Sequence, residues 1–600
     1  MPIKTNHLIY NIDYDRLASL YDFFEVTTSK EYIKSGSYIL DAPAVCDRIC
    51  AVLFTQGKHF YVMMNSANTN RTVLHQALDS CEDGDSISFS KIDATTIDAG
   101  SLLQLLMNGI GNSTNSILKF NNLTGHLFCY HPEWIKRGKK GNEEVIWKVP
   151  CLEIKITKDC NLLLNVRTFS SEQLKNQISF KKKSFSEYPK YVISLNKTMC
   201  RKLKGNSNPS FILRQTDGAK TEIPFLDIQN YEKFTQSKMG VLAEVFNQFN
   251  ERYKGVCHIE FDQIEDYNSI EHSKKDDRIS NQVIEEYLRS NSIKIIDKID
   301  DQYSREFCKQ IQTLLESRYG ICANIGKRVD KTALNIVVIH NVSYYIDAPD
   351  PHNENFSGAV VQHVTFEDFS ENSGFALDTV VHELLIKEDI KNNRISLYDW
   401  PSLNIGEILF GTSAEIDGGT RYFFMRIQND GQFEMIEQKF DLFETNEYSQ
   451  CVQIYEDAKT AGENVKGIIR DNLGNINVIK DTGWFTIPEI FDIMNELKSG
   501  NTKLRGREKR RELLSAVLDI KEFDENGEKR YFVNDIGEGM RCTVHHASNI
   551  RKIDKIGQSI DLFSQLLPLM DVTFIRNGQL TVVPFPFKYL REFIAHINVT

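Results

Sequence analysis

LTVVPFPFKYLREFIAH, residues 580–596, is the stretch on which the reading of this chain turns. Leu580–Val583 is a β-rich run, Pro-Phe-Pro follows, and the rest patterns as a helix with Arg591 facing out of its first turns. Proline fixes φ and lacks the N–H that a strand ladder needs, so the strand stops and the helix starts here. The remaining sequence has to say what such a strand–proline–helix corner is for and what Arg591 does on it.

A chain of 600 residues is too long for one hydrophobic core, and roughly three to five domains are expected. Its 41% hydrophobic and 26% charged residues are ordinary for a soluble globular protein. The start, MPIKTNHLIYNIDYDRL (1–17), holds no apolar leader, and no apolar run approaches the roughly 18–20 residues of a membrane helix. A cytoplasmic protein without a membrane partner is expected. Twelve cysteines stand at scattered spacings without a CxxC, and the nearest pair, Cys46 and Cys50, suits one helix face. Reduced thiols fit better than disulfides or structural zinc.

The formal charge of −11 argues against a general polyanion binder, yet leaves room for a basic channel in an acidic body. Basic clusters occur at KKKSFSEYPK (181–190) and KSGNTKLRGREKRR (498–511), where a solvated loop or helix face is the plain reading. His545 and His546 are adjacent, which suits neither one helix face nor a ligand pair. GxSxG, HExxH, Walker A and GxGxxG are absent from strand-to-helix settings. The DGD and GIG triplets (83–85, 109–111) read as isolated turns.

Residues 1–95 alternate the apolar strands SYILDA, ICAVLF and FYVMMN with polar helical stretches such as TVLHQALDSC. Residues 96–205 are β-rich, with period-two strands (GHLFCYHPEW, VPCLEIKIT, CNLLLNVRTF, YVISLN) that suggest antiparallel sheet. Residues 206–285 hold the helix KMGVLAEVFNQFNERY, the strand CHIEFDQI and the charged run EHSKKDDRIS. From 286 to 400 the texture becomes β-α-β: IKIID, SREFCKQIQTLLESRYG, NIVVIHN, AVVQHVTF and ALDTVVHELLIKEDI form a small Rossmann-like unit. Residues 401–600 begin with EILFGTSAEI and RYFFMRIQNDGQFEMI, with turns at Gly418-Gly419 and Asp430-Gly431. The helix SQCVQIYEDAKTAG, the strand NVKGIIRDN and the helix TIPEIFDIMNELKSG follow. This order suits a ribonuclease H-type mixed sheet, although periodicity alone does not fix the topology.

Within 335–400, a strand ending in a polar loop, with Gln, Tyr hydroxyls and lysines converging from later elements, can build a phosphate pocket. Donors at strand and helix ends capture anions. Spacing alone equally allows packing aromatics and surface lysines.

Read in order, these stretches resemble the MID–PIWI half of prokaryotic Argonaute proteins. A VQ-containing strand holds Gln362, a helix follows with Lys387 or Lys391, and Trp400 stands where the family has a Trp-bearing strand. ILFGTSAEI occupies the place of a strand ending in Gly-x-Asp. IIRDNLG, with Arg470 and Asp471, occupies that of one ending in Arg-Asp-Gly. PFPFKYLREF has the form of the family's closing corner. LTGHLFCYHPEW with VPCLEIKITKDCNLLLNVRTFS is similar to the family's linker region.

The resemblance implies a bilobed α/β multidomain chain with five parts. These are an N-terminal domain (1–95), a first linker (96–205), a second linker (206–285), a Rossmann-like MID (286–400) and a ribonuclease H-like PIWI (401–600). It leaves little room for PAZ, which is reduced or absent. The family's nuclease needs carboxylates around two divalent ions. Here the corresponding positions fall on Ser413, Asp471 and Arg591, with Asp417 available only by a register slip. The glutamate stays open between Glu415, Glu434, Glu437 and Glu444. A guanidinium has only donors and cannot ligate a metal, so the set reads as degenerate and enzymatic activity as doubtful.

What the resemblance then implies is a guide-dependent nucleic-acid-binding protein that recognises plasmid or phage sequences by guide–target pairing and recruits an effector. An active endonuclease with a differently aligned carboxylate set, and an unrelated protein-interaction module, are the alternatives. The guide 5′ phosphate would meet Tyr344 or Tyr345, Gln362, and Lys387 or Lys391. The family's Tyr-Lys pair is broken, since YYIDAPDPHNEN has no lysine, and Lys327 with Arg328 would compensate. Arg470, Lys588 and Arg591 are further nucleic-acid contacts. The partners implied are a short guide DNA or RNA, a complementary target (DNA above RNA) and a helicase or nuclease. No cofactor is required, with room left for Mg2+ at the guide 5′ end.

Overall fold

IKIID and LNIVVI place apolar residues on both faces of a strand, which is the mark of parallel strands covered on both sides. In the computed structural model they lie side by side. Strands β1 (Ile293–Asp297), β2 (Asn324–Gly326), β3 (Leu334–Ile339) and β4 (Val360–Thr365) form one sheet in the order β2-β1-β3-β4, every pair parallel. Helix α1 (Gln302–Tyr319) joins β1 to β2 and α2 (Ser373–Asn392) follows β4. The β-α-β order expected of this segment is formed as a four-stranded parallel sheet. Asp301 and Ser304 cap α1 reciprocally, and Gly320, at φ +67°, ends it in the left-handed conformation. The buried face of α1 carries Phe307, Cys308, Ile311, Leu315 and Tyr319, at the spacing of one helical stripe.

The structure describes residues 2–28, 37–41, 43, 48–56, 59–68, 87–110, 118–140, 143–172, 189–194, 197–202, 206–214, 223–270, 277–345, 350–354, 356, 358–367, 373–440, 446–499, 514, 520–525, 528–532, 542–572, 574–575 and 581–597. They divide into two units, one made of Met1–Asp266, Gly483–Leu518 and Gly539–Ser548, the other of Tyr267–Thr482, Asp519–Glu538 and Asn549–Thr600. Among the described residues no helix is long and apolar enough to cross a membrane.

In the first unit Ile49–Gln56, His59–Asn65, Tyr21–Thr28 and Ile87–Ile92 make a four-stranded antiparallel sheet. A larger antiparallel sheet centres on Glu143–Ile156 and Leu162–Ser171, as the period-two pattern predicts. Glu153 is buried there between His126 (3.1 Å) and Arg167 (3.0 Å). SYILDA is not a strand, since Ser37–Leu40 forms a helical turn. TVLHQALDSC lies outside the described residues.

The second unit adds β5 (Ile408–Ile416), β6 (Gly419–Ile427), β7 (Phe433–Gln438), α3 (Ser449–Thr460), β8 (Asn464–Asp471) and β9, which starts at Ile476. Every described pairing among these strands is antiparallel, β5 with β8 included, so the expected mixed sheet is not formed. The short turn between Asp471 and Ile476 forces β8 and β9 into a hairpin, where a parallel pair would need a crossover of a dozen residues. Gly431, at φ +83°, supplies the left-handed turn between β6 and β7 and lies close under Trp400.

Helix α4 (Pro586–Ile597) packs on this sheet and on α2, and all three share one continuous core. Gly467 leaves the space that the Phe587 ring fills. The strand expected before the proline corner is not formed. Leu580 is outside the described residues, and Thr581–Val583 is held as a local turn. Thr581 N donates to Met570 O (2.7 Å) and its hydroxyl to Val583 O (2.6 Å), so these groups serve no ladder. Trp400 likewise stands in a 3-10 turn (Trp400–Leu403) rather than a strand, with Pro401 removing the N–H a ladder would use.

Candidate nucleic-acid interface

Helix α2 buries Leu377, Val381, Leu384 and Leu385, which turns Glu383 and Lys387, one helical turn apart, along the flank of edge strand β4. An edge strand keeps half its carbonyls outside the ladder. The Lys387 ammonium takes one of them, donating to Val361 O at 2.9 Å and to Gln362 Oε1 at 2.6 Å. Gln362 Nε2 donates in turn to Glu383 Oε2 at 2.6 Å. Lys588 of α4 closes the cluster, reaching Glu383 at 3.2 Å and Glu592 at 2.7 Å. Burial pulls the Lys387 pKa down, with Glu592 and Glu383 opposing it. Burial acts the same way on Lys588, but its hydrogen bond to Glu592 and the two carboxylate charges outweigh it and raise that pKa.

Lys387 also lines a cavity of about 380 Å3, together with Lys391, His352, His363, Phe356 and Phe593. Lys391 is exposed and donates to Lys331 O at 3.2 Å. Val361 and His363, two apart on β4, present the same face to the cavity. Burial presses the His363 pKa down to about 4, with Lys387 and His352 adding to the effect, so the ring is neutral at physiological pH. Its Nε2 has no hydrogen-bond partner among the described residues.

A chain of rings leads away from this cavity. His363 lies 5.8 Å from His352, His352 6.0 Å from Tyr345, and Tyr345 6.2 Å from His340. Tyr344 stacks on His340 at 3.8 Å and is 62% exposed, so the chain ends in an open aromatic face. Gln362, Lys387 and Lys391 are thus brought together. The two tyrosines stand apart from them, at the carboxyl ends of the parallel strands, linked through His352.

The other predicted cations are dispersed. Lys327 pairs with Asp300, Arg328 is exposed beside it, and Arg470 donates to Glu447 O at 2.8 Å. Arg591 is exposed on α4 and donates only to Phe587 O of its own helix (3.3 Å), with no ion pair among the described residues.

The three positions carried over from the nuclease set do not converge through β5 and β8. Asp471 pairs with Ile408, and Ser413 lies five residues further along β5, about 17 Å away at strand rise. The Asp471 carboxylate accepts from Leu473 N (3.0 Å), Asn475 N (2.8 Å) and Asn475 Nδ2 (2.7 Å), which ties up the β8–β9 turn. Asp417 is a turn residue at φ +52°. Glu415 lies beside Lys459, Glu434 beside Arg426 and Glu437 beside Arg421, while Glu444 is outside the described residues. No group of three His, Cys, Asp or Glu side chains among the described residues is placed to hold a metal ion. At the Lys387 cluster Lys588 occupies both carboxylates, so the residues present do not fit the oxygen cage of a Mg2+ ion.

Sequence reasoning missed Glu383, His352 and His363. Glu383 precedes Lys387 by four, a spacing that signals a pair on one helix face. The two histidines carry no local signal, because their meeting depends on β4 lying at the sheet edge.

No family model matches the chain, and no curated protein matches it. Among solved structures, the crystal structure of Drosophila Piwi is similar over 100% of this chain and 97% of that one, with a TM-score of 0.36 and 8% identity.

Proposed function

We propose that this protein binds a short guide strand by its phosphorylated 5′ end at the Lys387–Lys391 cavity and pairs it with a complementary target, DNA above RNA. The observation that carries this is the half-buried Lys387, positioned by Gln362 and the Val361 carbonyl, on a cavity also lined by Lys391 and by the rings of His352, His363, Phe356 and Phe593, whose two acids are already paired, Glu354 with Lys298 and Glu592 with Lys588. An ammonium and a second lysine suit a phosphate, and the ring chain through His352 and Tyr345 to Tyr344 offers faces on which bases stack. Sequence is then read by base pairing, with the protein holding backbone and shape.

In this reading the protein does not cut its target. A serine, a turn-bound aspartate and an arginine supply no carboxylate cage for two metal ions. It would serve as a sensor of plasmid or phage sequences whose paired state engages a separate helicase or nuclease. The test is extraction of the purified protein for nucleic acid, together with incubation of protein, guide and complementary target in Mg2+ or Mn2+. Bound oligonucleotides of narrow length and an uncut target are expected. Protein free of nucleic acid that also fails to bind a guide would overturn the proposal, and a single guide-positioned cut would replace it with an active endonuclease.

A further inference from the structure

A second, larger cavity of about 790 Å3 opens in the same unit over Thr412 of β5 and Lys466 of β8. Four cations line it: Lys466, Arg551, Lys588 and Arg591. Two already have carboxylate partners. Lys466 lies 3.4 Å from Asp481, and Lys588 pairs with both Glu383 and Glu592, the acids that face the same space. Among the described residues the two guanidiniums have none, and Arg591 donates only to the Phe587 carbonyl of its own helix. Arg551, on the strand Asn549–Lys555, is 8% exposed, donates to Asn549 O through Nη1 at 3.4 Å, and keeps an Nε without a hydrogen-bond partner among the described residues.

A buried guanidinium with an unused donor is costly unless something supplies the acceptor. The lining also includes an apolar set, Phe574, Ile575 and the Val582–Pro584 corner. The volume lies within the range of pockets that enclose a whole small molecule. We infer that this cavity is a binding site for a phosphate carried on a flat, apolar body, the chemistry of a nucleoside monophosphate. Arg551 and Arg591 hold the phosphate, and the Phe574–Pro584 wall covers the base. A planar fork matches phosphate oxygens in pairs, which lysine does not. The inference stands on Arg551 and its wall and not on the guide reading. The same nucleotide unit could arrive free or as part of a strand.

Calorimetric titration of the full-length protein with adenosine monophosphate, adenosine and inorganic phosphate tests it. Saturable binding of adenosine monophosphate is expected, at least tenfold tighter than either part alone. Arg551→Met and the exposed Arg591→Met should each weaken it at least tenfold, with circular dichroism unchanged. Should Arg551→Met fold poorly, Arg591→Met alone decides. Displacement of the nucleotide by a 5′-phosphorylated single strand would assign the source as a strand end, and its retention would assign a free nucleotide. Absence of saturable binding, equal affinity for adenosine, or an unchanged affinity in the folded variants would overturn the inference.

Discussion

The Lys387 ammonium lies 2.6 Å from Gln362 Oε1, joining α2 to the edge strand β4 across 25 residues of sequence. That contact aims a half-buried charge along the strand edge instead of letting it turn to solvent. Charge-assisted hydrogen bonds contribute about 1.5–3 kcal/mol each. Lys387→Met should therefore weaken binding of a 5′-phosphorylated guide by roughly 10- to 100-fold. Gln362→Leu, which leaves the ammonium on the Val361 carbonyl alone, should cost less, about tenfold or below. Fluorescence anisotropy with a labelled oligonucleotide checks the order of the two.

Asp471 should matter for stability and not for chemistry. Its carboxylate accepts three hydrogen bonds within the β8–β9 turn. Asp471→Ala should destabilise the protein by about 1–3 kcal/mol. Asp471→Asn, which keeps one acceptor, should lose less. Urea midpoints measure both, and guide affinity should be unchanged in the folded population.

Two buried carboxyls give opposite pH responses. Asp389 is enclosed by Ser396 and Tyr589 Oη (2.7 Å), and burial pushes its pKa up to about 6. The folded state then holds the proton more tightly than the unfolded chain, so stability falls as pH rises from about 4 to about 6. Between pH 6 and pH 5 the protein should gain about 1 kcal/mol, a gain absent in Asp389→Asn. For Glu153, burial alone would raise the pKa, but His126 and Arg167 outweigh it and bring it to about 2. That contribution is complete above about pH 4.5 and is lost as pH falls through 2. Urea titrations at stepped pH separate the two windows.

Gly467 is a packing requirement. A Cβ there would stand 2.2 Å from the Phe587 ring, which is 3% exposed and seated against Phe410. Gly467→Ala should cost about 1–3 kcal/mol by forcing that ring and the start of α4 off the sheet. Gly467→Ala with Phe587→Leu should cost less than the sum of the two changes, which a double-mutant cycle in urea reads directly.

The parallel sheet was legible because the apolar segments of β1 and β3 alternate with a helix, α1, that has a single buried stripe, Phe307 to Tyr319. The antiparallel strands of the first unit were legible from their period of two. The β5–β9 sheet was not, because strand direction depends on which strand becomes the neighbour of β5, and no local pattern encodes that. SYIL is four residues long, too short for periodicity to tell a strand from a helical turn. The Ala99–Asn108 helix escaped because AGSLLQLLMN is only ten residues long and opens a segment whose other elements pattern as strands. At the site, Gln362 with Lys387 or Lys391 was readable only through the family resemblance, because spacing alone allows surface lysines equally well. The hydrogen-bond partners of Asp471 were not readable, because Leu473 and Asn475 look like any loop.

The most direct measurement compares one short single-stranded oligonucleotide carrying a 5′ phosphate with the same strand carrying a 5′ hydroxyl, at fixed salt. The account predicts at least tenfold tighter binding of the phosphorylated strand and loss of that difference in Lys387→Met. Equal affinities for the two strands in the wild-type protein, or a preference that survives Lys387→Met, would contradict it.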